Sequence, residues 1–176
     1  MYVSGVNVRI AELAGELADG LLAHPLHTRS YLESVIWPAI RHGAEKAGRD
    51  PSEVSLVVPA WVVTGADDEE RDASYRAIRQ QIGTFGSTTA YKQVFETEGW
   101  MDLQPRLNIA VKEGGPAAAG ELVPDEVVQA IAVTGRPDEL LHVLNQRFDR
   151  VADATMIYAP LPAPLTGTGL AEHLLP

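Results

Sequence analysis

The first 24 residues contain two short apolar runs separated by an amphipathic helix pattern. The run that begins at Tyr2 is β-branched or aromatic, which is typical of a buried strand. Asp19-Gly20 ends the helix that follows, and residues 21–24 form the second apolar run. Two strands joined by one helix constitute a βαβ unit, and such a unit requires a parallel sheet. The helix pattern rests on apolar residues at i, i+3, i+4 and i+7, namely Ile10, Leu13, Ala14 and Leu17.

The turn Ser4-Gly5-Val6-Asn7 leads from the first strand into this helix. Such a turn lies at the carboxyl end of a parallel strand, where free backbone N–H groups and the helix dipole favour an anion such as a phosphate. Most βα turns bind nothing, so the residues alone leave a ligand site and a plain turn as alternatives.

Two further apolar runs, residues 54–63 and 154–159, predict buried strands, with helix patterns between them. Pro59 inside the first run predicts a bulge or an early end of that strand. With residues 2–6 and 21–24, the chain therefore predicts an α/β protein with about four parallel strands.

Glycines and a proline predict where the later helices end. The helix that begins after Asp67 is expected to end near Ile82, before Gly83 and Gly86, with Ser87 as the N-cap of the next helix. Gly114-Gly115-Pro116 predicts a break in a later helix.

Composition restricts the classes of partner and of chemistry. The 176-residue chain has a net charge of −10, which argues against a nucleic acid or an anionic membrane as partner. It contains no cysteine, so disulfides and thiol catalysis are excluded. No apolar run has the length of a membrane span and the chain does not open like a signal peptide, so we expect a cytoplasmic protein.

Blocks of sequence spread over almost the whole chain occur in an order typical of one enzyme family. They are Tyr2–Asn7, Leu13–Gly20, His24–Thr28, Trp37–Ile40, Gly43-Ala44 with Ala47-Gly48-Arg49, Phe85–Tyr91, Glu98–Trp100 and Val133–Glu139. The ordered set resembles the second half of the bacterial luciferase-like flavin and deazaflavin oxidoreductases, and in particular an actinobacterial subgroup that uses coenzyme F420.

The resemblance implies a luciferase-like TIM (β/α)8 barrel, of which this chain corresponds to strands five to eight. It predicts a half barrel over residues 1–159, followed by a Pro-rich extended tail over residues 160–176. A half barrel has two unpaired edge strands and an open apolar face. Three solutions exist: a homo-oligomer, which we favour, a separate chain that supplies the missing half, and a truncated product that folds poorly.

The resemblance further implies hydride transfer between a deazaflavin cofactor, F420 or alternatively FMN, and a small organic substrate. In the family, the turn corresponding to Ser4, Gly5, Val6 and Asn7 lines the cofactor. No catalytic residue is predicted, because much of the family's catalytic shell lies in the half that is missing here. The alternative functions are a non-catalytic half barrel that binds a flavin-like ligand or serves as an oligomerising or partner subunit, and an interaction protein without a ligand.

The candidate substrate-pocket residues lie near the carboxyl ends of the second and third strands. For each of them a structural role is the competing interpretation. No metal site is predicted, because the His-Pro-Leu-His pair has no acidic or cysteine partner in its motif. The candidates are His24, His27, Trp61, Ser87 and Tyr91.

Overall fold

The structure, a computed structural model, describes residues 1–158. The predicted Pro-rich tail over residues 160–176 lies outside the described residues, so the predicted domain limits stay predictions. None of the helices within residues 1–158 combines the length and the apolar character needed to cross a membrane.

Short strands and helices alternate along the chain. The strands are β1 (Tyr2–Gly5), β2 (Gly20–Ala23), β3 (Ser55–Val63), β4 (Val133–Thr134) and β5 (Ala154–Tyr158). The helices are α1 (Val8–Leu17), α2 (Arg29–Tyr31), α3 (Trp37–Lys46), α4 (Asp68–Gly86), α5 (Lys92–Thr97), α6 (Leu103–Glu121), α7 (Asp125–Ile131) and α8 (Leu140–Phe148). A π-helical segment, Leu32–Ile36, joins α2 to α3, and 3₁₀ turns occupy Pro51–Glu53 and Thr89–Tyr91.

All strand pairs in the sheet are parallel, and β3 is its central strand. Val57 of β3 is in register with Leu22 of β2 and with Ala154 of β5, so these two strands lie on opposite edges of β3. Strand β1 pairs with β2, with Ser4 beside Leu22. The two residues of β4 pair only with Val62 and Val63, at the carboxyl end of β3. The four main strands therefore follow one another in the order β1-β2-β3-β5.

The two faces of this sheet differ in burial. The helices cover one face, where Leu21, Leu56, Val58 and Ala60 are fully buried. On the opposite face, alternate residues of the two edge strands are exposed, such as Tyr2 of β1 and Met156 of β5. We call this second surface, formed by the outward residues of β1, β2, β3 and β5, the open face.

Helices α1 and α3 pack with their backbones in direct contact, because glycines occupy both sides of the contact. A Cβ atom on Gly15 would lie 2.7 Å from the Ala44 nitrogen. A Cβ atom on Gly43 would lie 2.8 Å from the carbonyl carbon of Glu12. Both distances are far below van der Waals contact, so any side chain here would push the two helices apart.

Several local predictions are wrong in detail. Strand β3 continues through Pro59 to Val63, and the Pro59 carbonyl is used by a side chain, as described below. Helix α4 does not end near Ile82 but runs to Gly86. Gly83 serves packing there, since its Cβ would lie 2.7 Å from the Ala119 backbone.

Ser87 caps no new helix, because it lies at the carboxyl end of α4. The predicted break near Gly115 is confirmed, since that residue has a positive φ of 74° within α6. Strand β4 was not predicted from the sequence.

Candidate functional site

A groove of about 740 Å³ lies where the amino terminus of α1 faces the segment before and within α5. Two cationic side chains, Arg9 and Lys92, stand on its two sides. The residues that line it are Asn7, Val8, Arg9, Thr89, Ala90, Lys92, Gln93 and Glu96.

The α1 side of the groove offers unused backbone donors. Asn7 caps the helix, and its Oδ1 accepts the N–H of Ile10 at 3.1 Å. The first helical bond runs from the Ala11 N–H to the Asn7 carbonyl, so the N–H groups of Val8 and Arg9 have no partner within the helix. With the Arg9 guanidinium beside them, these donors suit an anionic group. The Lys92 Nζ forms an ion pair with Glu96 Oε1, 2.9 Å away and one turn further along α5.

Of the four predicted cofactor residues, only Asn7 lines this groove. Ser4 is exposed at the end of β1, and Gly5 allows the side chain of Ile10 to approach its backbone closely. Val6 is buried, and its carbonyl accepts the Tyr31 hydroxyl at 2.7 Å. The turn thus holds the amino end of α1 in place and reaches the groove at its last residue.

Three of the predicted pocket residues meet in one aromatic cluster at the carboxyl ends of β2 and β3. The His24 ring lies 4.8 Å from the Tyr91 ring and 6.0 Å from the Trp61 ring, centroid to centroid. Phe85 completes the cluster, 4.7 Å from His24. Tyr91 stands between Ala90 and Lys92 in the chain, and these two neighbours line the groove.

The hydrogen bonding of His24 selects one tautomer of its ring. Its Nδ1 accepts the backbone N–H of Leu26 at 3.1 Å, so a neutral ring carries its proton on Nε2. Burial lowers the pKa of His24 to about 4, which keeps the ring neutral near pH 7. His24 is only half-buried, and its Nε2 has no hydrogen-bond partner among residues 1–158. The residue therefore presents a single N–H donor at the edge of the cluster.

His27 lies below the surface and outside both the groove and the cluster. Its Nε2 is 3.0 Å from the Pro59 carbonyl, and its ring packs edge-on against Phe148 at 5.6 Å. Burial, with smaller contributions from the charges of Arg147 and His24, lowers the pKa of His27 to about 4. This environment is that of a core residue that ties the loop after β2 to β3.

Ser87 is buried as well, and its contacts are internal. Its Oγ donates to the Thr84 carbonyl at 2.7 Å, and its own carbonyl accepts the Gln104 amide at 2.8 Å. Within residues 1–158, no three side chains of His, Asp or Glu gather in a way that could hold a metal ion.

The arrangement of a groove and an aromatic cluster at the carboxyl ends of parallel strands can be compared with known proteins. The sequence profile of the luciferase-like monooxygenase family matches residues 1–154. The chain belongs to this family. The predicted family is thereby confirmed from the amino terminus to the start of β5.

Relatives of the luciferase-like chain come from bacteria and archaea. An uncharacterized protein of Mycobacterium tuberculosis is 39% identical over 156 residues, which are 89% of this chain and 46% of that protein. The 5,10-methylenetetrahydromethanopterin reductase of Methanolobus tindarius is 30% identical over 152 residues, 85% of this chain and 44% of the reductase.

Solved structures confirm the predicted fold class, an α/β half barrel of parallel strands. The coenzyme F420 dependent tetrahydromethanopterin reductase from Methanopyrus kandleri superposes with a TM-score of 0.67 at 19% identity, over 89% of this chain and 43% of that one. An F420-dependent secondary alcohol dehydrogenase in complex with an F420-acetone adduct gives a TM-score of 0.60 at 21% identity, over 89% and 42%. The luciferase-like chain thus spans a little less than half the length of these relatives.

Three residues that shape the site were not among the predicted ones. Phe85 was missed because Gly83 and Gly86 were interpreted as a helix break, although they lie within or at the end of α4. Arg9 and Lys92 come together from segments about 80 residues apart, and no local pattern reveals such a pair. The position of Arg9 in the first turn of α1 is the one signal that could have indicated it.

Proposed function

We propose that this chain forms the cofactor-binding half of an F420-dependent oxidoreductase that acts on a small organic substrate. The observation that carries the proposal is the groove at the amino end of α1, where the first backbone donors of the helix and Arg9 meet. The relatives named above support it, because both superposed enzymes use F420 and share the fold of this half. FMN is the alternative cofactor.

The groove fits the anionic tail of such a cofactor better than it fits an apolar ligand. The N–H groups of Val8 and Arg9, which have no partner among residues 1–158, and the Arg9 guanidinium would donate to an anion on one side. On the other side Lys92 is paired with Glu96, which lines the groove as well. Arg9, Lys92 and Asn7 would hold the anionic tail of the cofactor when it is bound.

The cluster supplies the substrate side of the site. F420, when bound, exchanges a hydride with a substrate carbon at its deazaflavin ring. Phe85, Tyr91 and Trp61 would exclude water from a substrate held at the cluster, and the neutral His24 ring would donate a hydrogen bond from Nε2 to a substrate oxygen. His24 does not change its protonation state in this role, because its pKa of about 4 lies far below neutral pH.

Calorimetric titration of the purified 176-residue chain with oxidised F420, and with FMN in parallel, tests the proposal. We expect saturable binding of F420 in the micromolar range and weaker binding of FMN. The variant Arg9→Gln should bind about tenfold more weakly, because a hydrogen bond to a charged group contributes about 1.5–3 kcal/mol. Arg76→Gln removes an exposed arginine of α4 outside the groove and should leave the affinity unchanged. A folded chain that binds neither cofactor would refute the proposal.

The second candidate is a non-catalytic half barrel that binds a flavin-like ligand or serves as an oligomerising subunit. The observation in its favour is the open face, whose strands carry no charged residue. Turnover separates the candidates. Oxidation of an alcohol with loss of the F420 absorbance indicates the enzyme, whereas F420 binding without turnover across alcohols and enones indicates the binding protein.

A further inference from the structure

The edge strands β1 and β5 each leave one edge unpaired within residues 1–158. Neither strand contains a charged residue or a proline, their sequences being Tyr-Val-Ser-Gly and Ala-Thr-Met-Ile-Tyr. Natural proteins protect free edges with charges, prolines or bulges, because an open edge pairs readily with another strand. The absence of such protection on both strands indicates that both edges are paired in the working protein.

The open face is apolar and uncharged as well. Tyr2 is 54% exposed, Met156 is 50% exposed and Tyr158 is 52% exposed, and all three are on strands, where large apolar side chains are usually covered. The Tyr2 ring lies close to Gly20 of β2, where a Cβ atom would lie 2.8 Å from its Cδ1. Although the whole chain has a net charge of −10, no residue of β1, β2, β3 or β5 carries a charge. Two such faces can meet without electrostatic repulsion between them.

We propose that a second copy of this chain covers the open face and closes an eight-stranded parallel barrel. A twofold axis parallel to the strands keeps all strands parallel and pairs β5 of each copy with β1 of the other. One operation therefore removes both free edges, and the four main strands of two copies give the strand number of a TIM barrel. The proposal rests on the sheet alone and does not depend on the cofactor.

The register of the sheet determines which residues meet across the new contact. Ser4, Leu22, Val57 and Ala154 lie at one level of the sheet. A barrel of this kind has a shear of about eight residues, which a twofold axis divides into about four for each copy. Four residues beyond Ala154, Tyr158 would stand beside Ser4 of the second copy, and Met156 beside its Tyr2. A shift in the other direction would place Ala154 beside residue 8, which is already in helix α1.

This pairing preserves the alternation of the strands. Tyr2 and Ser4 on β1, and Met156 and Tyr158 on β5, are the exposed alternate residues of their strands. All four would point into the barrel interior, because an even shift does not exchange the two faces of a strand. An odd shift would place the exposed residues of β1 and β5 on opposite faces of the barrel wall. The observed register is compatible with the even shift.

The molar mass of the full chain in solution, measured by light scattering after size exclusion, is the first test. We expect about twice the chain mass of 19.0 kDa. Met156→Lys should weaken association about a hundredfold or more and give a folded monomer, because it buries an unpaired charge in the contact while the residue is half-exposed in the single copy. Leu141→Lys is the matched control, since Leu141 is 48% exposed but lies on helix α8, and it should remain a dimer.

A cysteine pair tests the register, and the chain has no cysteine of its own. In one copy, β1 and β5 are separated by two strands, about 14 Å at a strand spacing of about 4.8 Å, which no disulfide can span. Tyr2→Cys with Met156→Cys should therefore give a covalent dimer on oxidation, and Tyr2→Cys with Leu141→Cys should not.

Three outcomes would overturn the proposal. A wild-type chain that is monomeric at high micromolar concentration excludes the second copy as occupant. A dimer that persists in Met156→Lys and fails to cross-link through the cysteine pair uses another surface. A monomer that associates only with a chain carrying the first half of a luciferase-like barrel assigns the open face to that chain.

Discussion

His27 is held uncharged by its surroundings, and this couples the stability of the fold to pH. Its folded-state pKa of about 4 lies below the value of about 6.5 expected in the unfolded chain. Between these two values the unfolded state binds more protons, so the free energy of unfolding falls as the pH is lowered. The stabilisation is fully present above pH 6.5 and is lost progressively towards pH 4.

We therefore predict that the free energy of unfolding falls by about 1 kcal/mol or more from pH 7.5 to pH 5.5. Urea unfolding at the two pH values measures this difference. His27→Gln keeps an N–H donor for the Pro59 carbonyl but cannot titrate, so its pH dependence should be clearly flatter. If the free energy of unfolding changed equally with pH in the variant and in the wild type, His27 would be protonated without cost in the folded state.

The close contact between α1 and α3 determines how a side chain added at Gly43 changes stability. Alanine has a higher helix propensity than glycine by about 1 kcal/mol, so propensity alone predicts that Gly43→Ala stabilises α3. The structure predicts the reverse, since a Cβ at Gly43 would lie 2.8 Å from the carbonyl carbon of Glu12.

We expect Gly43→Ala to lower the free energy of unfolding by about 1–3 kcal/mol, the usual range for overpacking. Urea unfolding at pH 7.5 measures the change. Glu45→Ala, at an exposed position of the same helix, is the control and should change stability by less than about 0.5 kcal/mol. A stabilised Gly43→Ala protein would mean that the two helices are further apart than the structure places them.

The main strands were predictable from the sequence, because each is an apolar run bounded by turn residues. For β3, the sequence predicted residues 54–63 and the structure shows Ser55–Val63. Strand β4 was not predictable, because two residues produce no periodic signal. The length of α4 was underestimated at Gly83, where close packing against Ala119 had no signature in the local sequence.

The candidate site was predictable in part. Their positions on the predicted strands indicated His24 and Trp61, the resemblance indicated Tyr91, and the structure brings these three together. Phe85 and the pair of cations around the groove depend on how distant segments meet, which local patterns do not encode. Whether these residues bind the predicted ligands stays a prediction.

At the scale of the whole molecule, association through the open face predicts a stability that depends on protein concentration. A partner that binds only the folded chain stabilises it by mass action. We expect the Tm of the wild-type chain to rise by several degrees between about 1 and 100 µM, and the Tm of Met156→Lys to stay constant. Differential scanning calorimetry at several concentrations measures both. A wild-type Tm that is independent of concentration would contradict the association.

The central position of β3 also has a consequence for synthesis on the ribosome. One edge of β3 can pair with β2 as soon as both strands have emerged, because β2 precedes it in the chain. Residues Val57–Trp61 find their second neighbour only in β5, which begins roughly 90 residues after β3 ends. At about 5–20 residues per second, this takes about 5–20 s. For that interval a Val-rich strand is open on one side in every nascent chain, so neighbouring ribosomes on one message would bring unfinished copies together before either sheet is complete.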